Sequence, residues 1–243
     1  MKRQKFLFLI LTFIIGSFSC SHTSNDSMEY SMIPEKKQID GVNIEASSIT
    51  TKNIDNYLFR EDVIYVDLRS YAEIAREGHI AGFSFYPFYD FIASSAGTKD
   101  YDGNLMDNRL FKMKDEFGKL GTVGNFEPNY EESEEILNML FPKDKYIFTI
   151  TISCNESVYF LNLLKQYGYD SSKLYNVGGF SMNTGFENLA YKNIESSRYL
   201  VKGNPLIFSI GQNITFDFMK DLTPINSSPE KVNATIIRWK RRK

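Results

Sequence analysis

The sequence predicts an α/β domain built around a parallel β-sheet. Apolar runs over 63–66 and 146–152 lack the polar alternation of half-exposed strands, and such unbroken runs are typical of strands covered on both faces. A third run, 174–177, follows an amphipathic segment over 158–167 that Gly168 ends. Strands that alternate with helices favour a parallel sheet, in which ligands bind where strand C-termini meet helix N-termini.

Capping residues and composition place the other elements. Ser70 is positioned to cap a helix over 71–77, and Gly78 is positioned to end it. The remaining predicted elements are a strand over 83–86, helices over 88–93 and 109–117, and a helix over 131–140 that begins with acidic residues.

Composition narrows the classes of function. The 243 residues carry 28 Lys and Arg against 30 Asp and Glu, and a net charge of −2 argues against nucleic acid as a partner. The two cysteines, Cys20 and Cys154, are too few and too far apart for a disulfide scaffold or for a Cys-built zinc or iron–sulfur site.

The N-terminal residues predict export. Basic residues precede an apolar run over 6–15, which is too short to span a bilayer and indicates a signal peptide over 1–19. Small residues directly before Cys20 resemble the lipobox of bacterial lipoproteins, which implies a lipid on Cys20 and a location on the extracytoplasmic face of the cell membrane. The alternative is an ordinary secretory signal with an incidental cysteine. Residues 20–48, rich in polar side chains, predict a flexible tether.

Cys154 is the residue with the clearest chemical potential. It lies between the strand over 146–152 and the helix over 158–167, so it is expected at a helix N-terminus, where the pKa of a thiol falls because the backbone amides favour the anion. Inward-pointing amides there would also stabilise a bound oxyanion or a persulfide. The alternative is a small buried hydrophobic residue, and the spacing alone leaves both possibilities open.

Three groups of residues follow one another along the chain and together form a pattern. They are Val66-Asp67-Leu68-Arg69 with Glu73; Gly78-His79-Ile80-Ala81-Gly82 with Pro87; and Ile152-Ser153-Cys154 with Gly168-Tyr169 and Asn176-Val177-Gly178-Gly179-Phe180. In order and spacing these motifs resemble the signature of rhodanese-like domains, over about 49–189.

This resemblance implies a five-stranded parallel sheet flanked by helices, in a domain over 49–195. It also implies that a six-residue loop directs its backbone amides at the sulfur. That loop is Cys154, Asn155, Glu156, Ser157, Val158 and Tyr159. In active members the cysteine takes a sulfane sulfur from a donor such as thiosulfate, forms a persulfide and passes the sulfur to cyanide or a thiol. No metal or organic cofactor is implied.

The other signature residues are expected to serve the structure. They are Asp67, Arg69, Gly78, His79, Gly178 and Gly179. Asp67 and Arg69 can pair at the end of a strand, and the two later glycines permit a tight turn after a strand. His79 as a general base is the less favoured alternative.

The loop departs from the pattern of active members. Ser157 stands where a glycine is usual, and Tyr159 with Phe160 replaces a basic or small polar pair. Glu156 places a negative charge beside the thiolate, which raises the pKa of Cys154 and repels an anionic donor. The sequence therefore leaves two possible functions. The first is a lipid-anchored sulfurtransferase or persulfide carrier that acts on a small sulfur-containing anion or a thiol. The second is a catalytically silent module that binds a peptide, a small anion or an envelope protein.

Residues 196–243 lie outside the resemblance. Apolar runs over 206–210 and 214–218 predict a β-hairpin, and 232–239 predicts a further strand. The basic end of the chain, 238–243, is expected to be a solvated tail, and contact with anionic lipid headgroups is the alternative.

Overall fold

The structure is a computed structural model. It describes residues 31–36, 48–95, 109–114, 125–152, 155–180, 199–204 and 222–225, without the side chains of Ser94, Ser95 and Asn155. All of these residues belong to a compact unit that begins at Ser31. The predicted signal peptide over 1–19, the lipidation site Cys20, the nucleophile Cys154 and the hairpin over 206–218 lie outside the described residues and stay predictions.

The described residues form strands and helices in alternation. The strands are β1 Val63–Asp67, β2 His79–Ile80, β3 Ser84–Phe85, β4 Ala93–Ser95, β5 Phe111–Met113, β6 Phe126–Pro128, β7 Tyr146–Thr151, β8 Leu174–Gly179 and β9 Leu200–Val201. The helices are α1 Tyr71–Glu77, α2 Ser133–Leu140 and α3 Asn155–Gln166. Single helical turns lie at Ile54–Tyr57, Phe88–Ile92 and Ser171–Lys173, the second of them a π-helical turn.

The central sheet is parallel and has the order β3-β1-β7-β8. Every residue of β7 after Tyr146 is buried, and so is every residue of β8. Both faces of these strands are therefore covered, which explains why their apolar runs are unbroken. The predicted α/β class with a parallel sheet flanked by helices is confirmed.

The central sheet has four described strands where five were predicted. Beside β8, the backbone N–H of Thr51 donates to the carbonyl of Val177 at 3.0 Å, so the chain before β1 makes one ladder-like bond there. The side chain of Asn53 accepts from the N–H of Thr50 at 2.8 Å and turns the chain into a helical turn. This local hydrogen bond competes with strand pairing and ends it.

The predicted helix over 71–77 is confirmed as α1. Ser70 accepts from the backbone N–H of Glu73, and the Glu73 carboxylate accepts in return from the N–H of Ser70 at 2.9 Å, which completes a capping box. Gly78 ends the helix at φ +88°, and its N–H donates to the carbonyl of Ile74.

Several predicted elements differ in extent or kind. The helix over 109–117 is wrong where it is described, because Phe111–Met113 form strand β5 between β4 and β6. Ala93 starts a strand instead of ending a helix. Helix α2 begins at Ser133, whose buried hydroxyl donates to the carbonyl of Leu110 at 2.7 Å, and the strand over 83–86 shortens to two residues.

The glycine pair was predicted to form a turn after β8, and this is wrong. Gly178 and Gly179 lie inside β8, opposite Ile150 and Thr151 of β7. The register shifts by one residue just before them, and Gly178 has φ +134°. This backbone conformation favours glycine, so the residue permits a bulge within the strand.

Part of the predicted tether contacts the domain. Ile33 packs against the core, and the Tyr175 hydroxyl donates to the carbonyl of Pro34 at 2.8 Å. Part of the predicted extension does the same, because β9 pairs antiparallel with β2 and the N–H of Glu131 donates to the carbonyl of Thr223. Described residues on both sides of 49–195 therefore contact the same compact unit, and the predicted domain limits stay a prediction.

Candidate functional site

The candidate site lies at the carboxyl edge of the central sheet. Helix α1 begins at Tyr71, shortly after β1 ends at Asp67, and helix α3 begins at Asn155, shortly after β7 ends at Thr151. Because β1 and β7 are parallel neighbours, both helices start from the same edge. In open α/β sheets this edge is where ligands bind.

The predicted sulfur-binding loop is helical over its described part. Asn155, Glu156, Ser157, Val158 and Tyr159 all belong to α3, which begins three residues earlier than predicted. No glycine or proline interrupts this segment, and an acid in the first turn is favourable at the positive end of the helix dipole. The first N–H groups of a helix have no intrahelical partner, so a donor set of backbone amides follows directly after Cys154 in the chain.

Glu156 is a partly buried acid in the first turn of α3. Burial raises the pKa of its carboxyl group, and the negative charge of Glu73 on α1 raises it further. A hydrogen bond from Thr151, the last residue of β7, acts in the opposite direction. The second carboxyl oxygen, Oε2, is buried and has no hydrogen-bond partner among the described residues.

Two tyrosines interact electrostatically with this carboxyl group. Burial, and then the charge of Glu156, raise the pKa of Tyr89 on the π-helical turn and the pKa of Tyr159 on α3. The ring of Tyr159 is buried, 6.0 Å from the ring of Phe88. Tyr159 therefore fills space against the π-helical turn, at a place where the motif resemblance predicts a basic or small polar residue.

Ser157 and Val158 differ in exposure. Ser157 is fully buried, and its hydroxyl has no hydrogen-bond partner in the described part of the chain. Val158 is partly exposed. For Asn155 the structure gives only the backbone, which opens α3.

Asp90 and Arg109 form a largely buried ion pair that the sequence analysis did not identify. Arg109 Nη2 lies 3.9 Å from Asp90 Oδ1, and the two side chains are 4% and 13% exposed. The Arg109 Nε donates to the carbonyl of Tyr89 at 2.6 Å. Burial raises the pKa of Asp90 to about 6; Arg109 lowers it and Glu73 raises it. An aspartate within an apolar segment is the only sequence signal for this pair, since its partner is distant in the chain.

The signature residues Asp67 and Arg69 form a fully buried ion pair. Arg69 Nη2 donates to Asp67 Oδ2 at 2.7 Å and to the carbonyl of Gly78 at 2.8 Å, and Nε donates to Asp67 Oδ1 at 3.0 Å. The guanidinium also lies 3.9 Å from the ring centroid of Phe180. These contacts join the end of β1, the end of α1 and the residue after β8, which supports a structural role for the pair.

His79 lies on the short strand β2. Its ring makes an edge-on contact with Phe85, with the ring centroids 4.8 Å apart. Burial lowers its pKa; the charge of Asp67 raises it and that of Arg69 lowers it. The imidazole is therefore packed against β3 as part of the fold.

No protein-family model, curated protein or solved structure matches this chain. Within the ranges that the structure describes, no three His, Cys, Asp or Glu side chains are arranged to hold a metal ion. The described helices include none with the length and apolar character needed to cross a membrane. The fold and the site together define an α/β protein with a candidate site at the carboxyl edge of a parallel sheet.

Proposed function

We propose that this chain is a rhodanese-like sulfurtransferase or persulfide carrier in which Cys154 is the nucleophile. The observation that carries the proposal is the start of α3 at Asn155, directly after Cys154 in the chain and at the carboxyl edge of the sheet. The unpaired amides of a helix N-terminus favour a thiolate and a bound anion. The motif resemblance supports the same assignment.

The reaction transfers one sulfur atom. The Cys154 thiolate attacks the outer sulfur of thiosulfate, the S–S bond breaks, and sulfite leaves with the electron pair of that bond. A thiol acceptor, as its thiolate, then attacks the outer sulfur of the persulfide and regenerates the Cys154 thiolate. Neither step requires a metal or an organic cofactor.

A second candidate function is a catalytically silent binding module. The acidic character of this edge favours it, because the charge of Glu73 raises the pKa of Glu156 and both carboxylates would repel an anionic donor. In either case we propose that the mature chain is held by a lipid on Cys20 at the extracytoplasmic face of the membrane.

Thiol chemistry separates the two functions. The protein is incubated with thiosulfate or with 2-hydroxyethyl persulfide, and the mass of the peptide that contains Cys154 is measured. The enzyme predicts a gain of one sulfur at Cys154, fast alkylation of this thiol at pH 6, and loss of sulfur transfer in Cys154→Ser. Absence of the adduct with both donors, together with slow alkylation at pH 6, rejects the sulfur-transfer function.

A further inference from the structure

Phe59 combines a strained backbone with an exposed ring. It lies in the turn before β1 with φ +61°, and among the described residues only Phe59 and glycines have positive φ. A bulky side chain rarely adopts this conformation, and proteins keep such strain mainly at functional sites. The Phe59 side chain is nevertheless 41% exposed. Formation of the turn does not require a phenylalanine here, because asparagine adopts positive φ more readily.

Other apolar side chains are exposed next to Phe59. The ring of Tyr199 meets the ring of Phe59 edge-on, with the centroids 5.3 Å apart, and it is itself partly exposed. Val201 follows two residues later on β9 and is 43% exposed. The turn before β1 and strand β9 therefore present apolar surface to solvent side by side.

The N-terminal part of the chain reaches the described domain at the same place. The carbonyl of Ser31 accepts from Nη1 of Arg60, the residue after Phe59, at 2.8 Å. Met32 comes next and is 87% exposed, while Ile33 packs against the core cluster on which Tyr199 also packs. The exposed apolar residues on this side of the domain are named the apolar patch: Met32, Phe59, Tyr199 and Val201.

The position of the apolar patch in the chain favours a lipid surface as its partner. Eleven residues lead from Cys20 to Ser31, and a chain of that length spans at most about 40 Å. With the proposed lipid on Cys20, the patch stays within this distance of the bilayer, and the high effective concentration makes a weak apolar contact sufficient for docking. Lys202 follows Val201 and is exposed, which places a cation for anionic headgroups beside the patch.

We propose that the apolar patch is a membrane-docking surface that inserts the ring of Phe59 into the boundary between the lipid headgroups and the acyl chains. The inference rests on the lipid anchor proposed above and does not depend on sulfur transfer. Exposed aromatic and aliphatic side chains beside a cation are typical of surfaces that lie at this boundary. Because the turn already fixes the backbone of Phe59, docking loses little conformational freedom.

Tryptophan reporters test the docking. The protein, expressed from the full sequence and processed by the host, is mixed with vesicles of phosphatidylcholine and phosphatidylglycerol whose acyl chains carry bromine, which quenches tryptophan on contact. Phe59→Trp and the control Met139→Trp are compared in a Trp239→Phe background, so that each protein has one tryptophan. We expect the emission of Phe59→Trp to fall by about half and that of Met139→Trp to stay unchanged.

Met139 is a matched control because its exposure equals that of Phe59, at 41%. It lies on α2, whose buried apolar residues Ile136 and Leu137 are not members of the core cluster beneath the patch. Val201→Trp repeats the measurement at a second position of the patch, where the backbone is an ordinary strand.

Each result decides one point. Sedimentation of the protein with the vesicles without quenching at either patch position overturns the docking surface and leaves the anchor intact. Equal quenching at Met139 and at the patch also overturns it, because the contact then has no preferred surface. A protein that does not sediment with the vesicles overturns the lipid anchor, and the docking surface with it. Sulfur transfer is measured separately, by the adduct at Cys154.

The wild-type protein gives a test that needs no substitution. Chloramine-T, a charged oxidant, converts exposed methionines to the sulfoxide, and mass spectrometry follows the rates at Met32 and Met139. Vesicles should slow the oxidation of Met32 severalfold and leave that of Met139 unchanged. An unchanged rate at Met32 contradicts the proposal. Protection of Met32 that grows with protein concentration in the absence of vesicles assigns the patch to a second copy of this chain and also overturns it.

Discussion

Replacement of Asp90 by asparagine should stabilise the protein at neutral pH. The pKa of this buried carboxyl is about 6 in the fold, against 3.8 as its ordinary value. The fold therefore favours the protonated form, and ionisation of Asp90 opposes folding. Above pH 6 the cost is about 3 kcal/mol, at 1.36 kcal/mol for each pKa unit, and at pH 4.5 it is about 1 kcal/mol.

The sign of the pH dependence follows from proton binding. Between pH 3.8 and about 6 the folded protein holds a proton on Asp90 that the unfolded chain has lost, so this group makes stability fall as pH rises. Asparagine has the shape of the protonated acid and cannot ionise. The advantage of Asp90→Asn over the wild type should therefore grow by about 2 kcal/mol from pH 4.5 to pH 8.

Urea denaturation at several pH values measures this difference, because urea does not screen charges. Asp144→Asn is the control, since Asp144 is exposed in the turn before β7. An advantage of Asp90→Asn that is constant with pH would refute the reasoning, because the removed penalty then does not come from ionisation. A variant less stable than the wild type at pH 8 would show that the ionised Asp90 stabilises the fold through Arg109.

Three other variants test the packing around the site, each by its free energy of unfolding in urea. Arg69→Met should cost about 3–5 kcal/mol because it leaves a buried carboxylate unpaired. Arg60→Met removes the partner of Asp62, a carboxylate that is 47% exposed and also two residues away in the chain, and should cost at most about 1 kcal/mol. Equal losses in the two variants would contradict this. Gly78→Ala should cost several kcal/mol, since its Cβ would lie 2.1 Å from the Val201 carbonyl oxygen. Gly168→Ala is also at positive φ, but its Cβ would make only an ordinary contact, 3.8 Å from Lys143 Nζ, and should cost about 1 kcal/mol. Similar costs would exclude the clash as the cause. Ser70→Ala should cost about 1 kcal/mol through loss of the capping box, and an unchanged stability would show that the box contributes nothing.

The sequence predicts the elements whose signals are local. The unbroken apolar runs give β1 and β7 almost to the residue, and Ser70 with Gly78 gives both ends of α1. Strand β5 was misassigned because its pairing partners, β4 and β6, lie elsewhere in the chain and override the local pattern. The start of α3 was placed too late because the prediction began the helix where the amphipathic pattern begins, at Val158, although no residue from Asn155 to Ser157 breaks a helix.

The charged groups of the site were only partly predictable. Glu156 was identified because it follows Cys154 closely in the sequence, but its pKa also depends on the charge of Glu73 on α1, which lies in a distant part of the chain. The pairing of Asp90 with Arg109 has no periodic signal, since one residue lies on the π-helical turn and the other just before β5. Burial determines both pKa shifts, and burial is a tertiary property.

The first turn of α3 combines two opposing electrostatic effects. Unpaired amides at the helix start favour an anion, which is the condition for a reactive thiolate at Cys154. Glu156, one residue into the helix, disfavours a second anion at the same place. A site with this balance suits one negative charge at a time: the thiolate, or the persulfide that replaces it. Under the proposed sulfur-transfer function, an uncharged donor would therefore approach this site more readily than thiosulfate, because the thiosulfate dianion must approach the thiolate and the carboxylate at once.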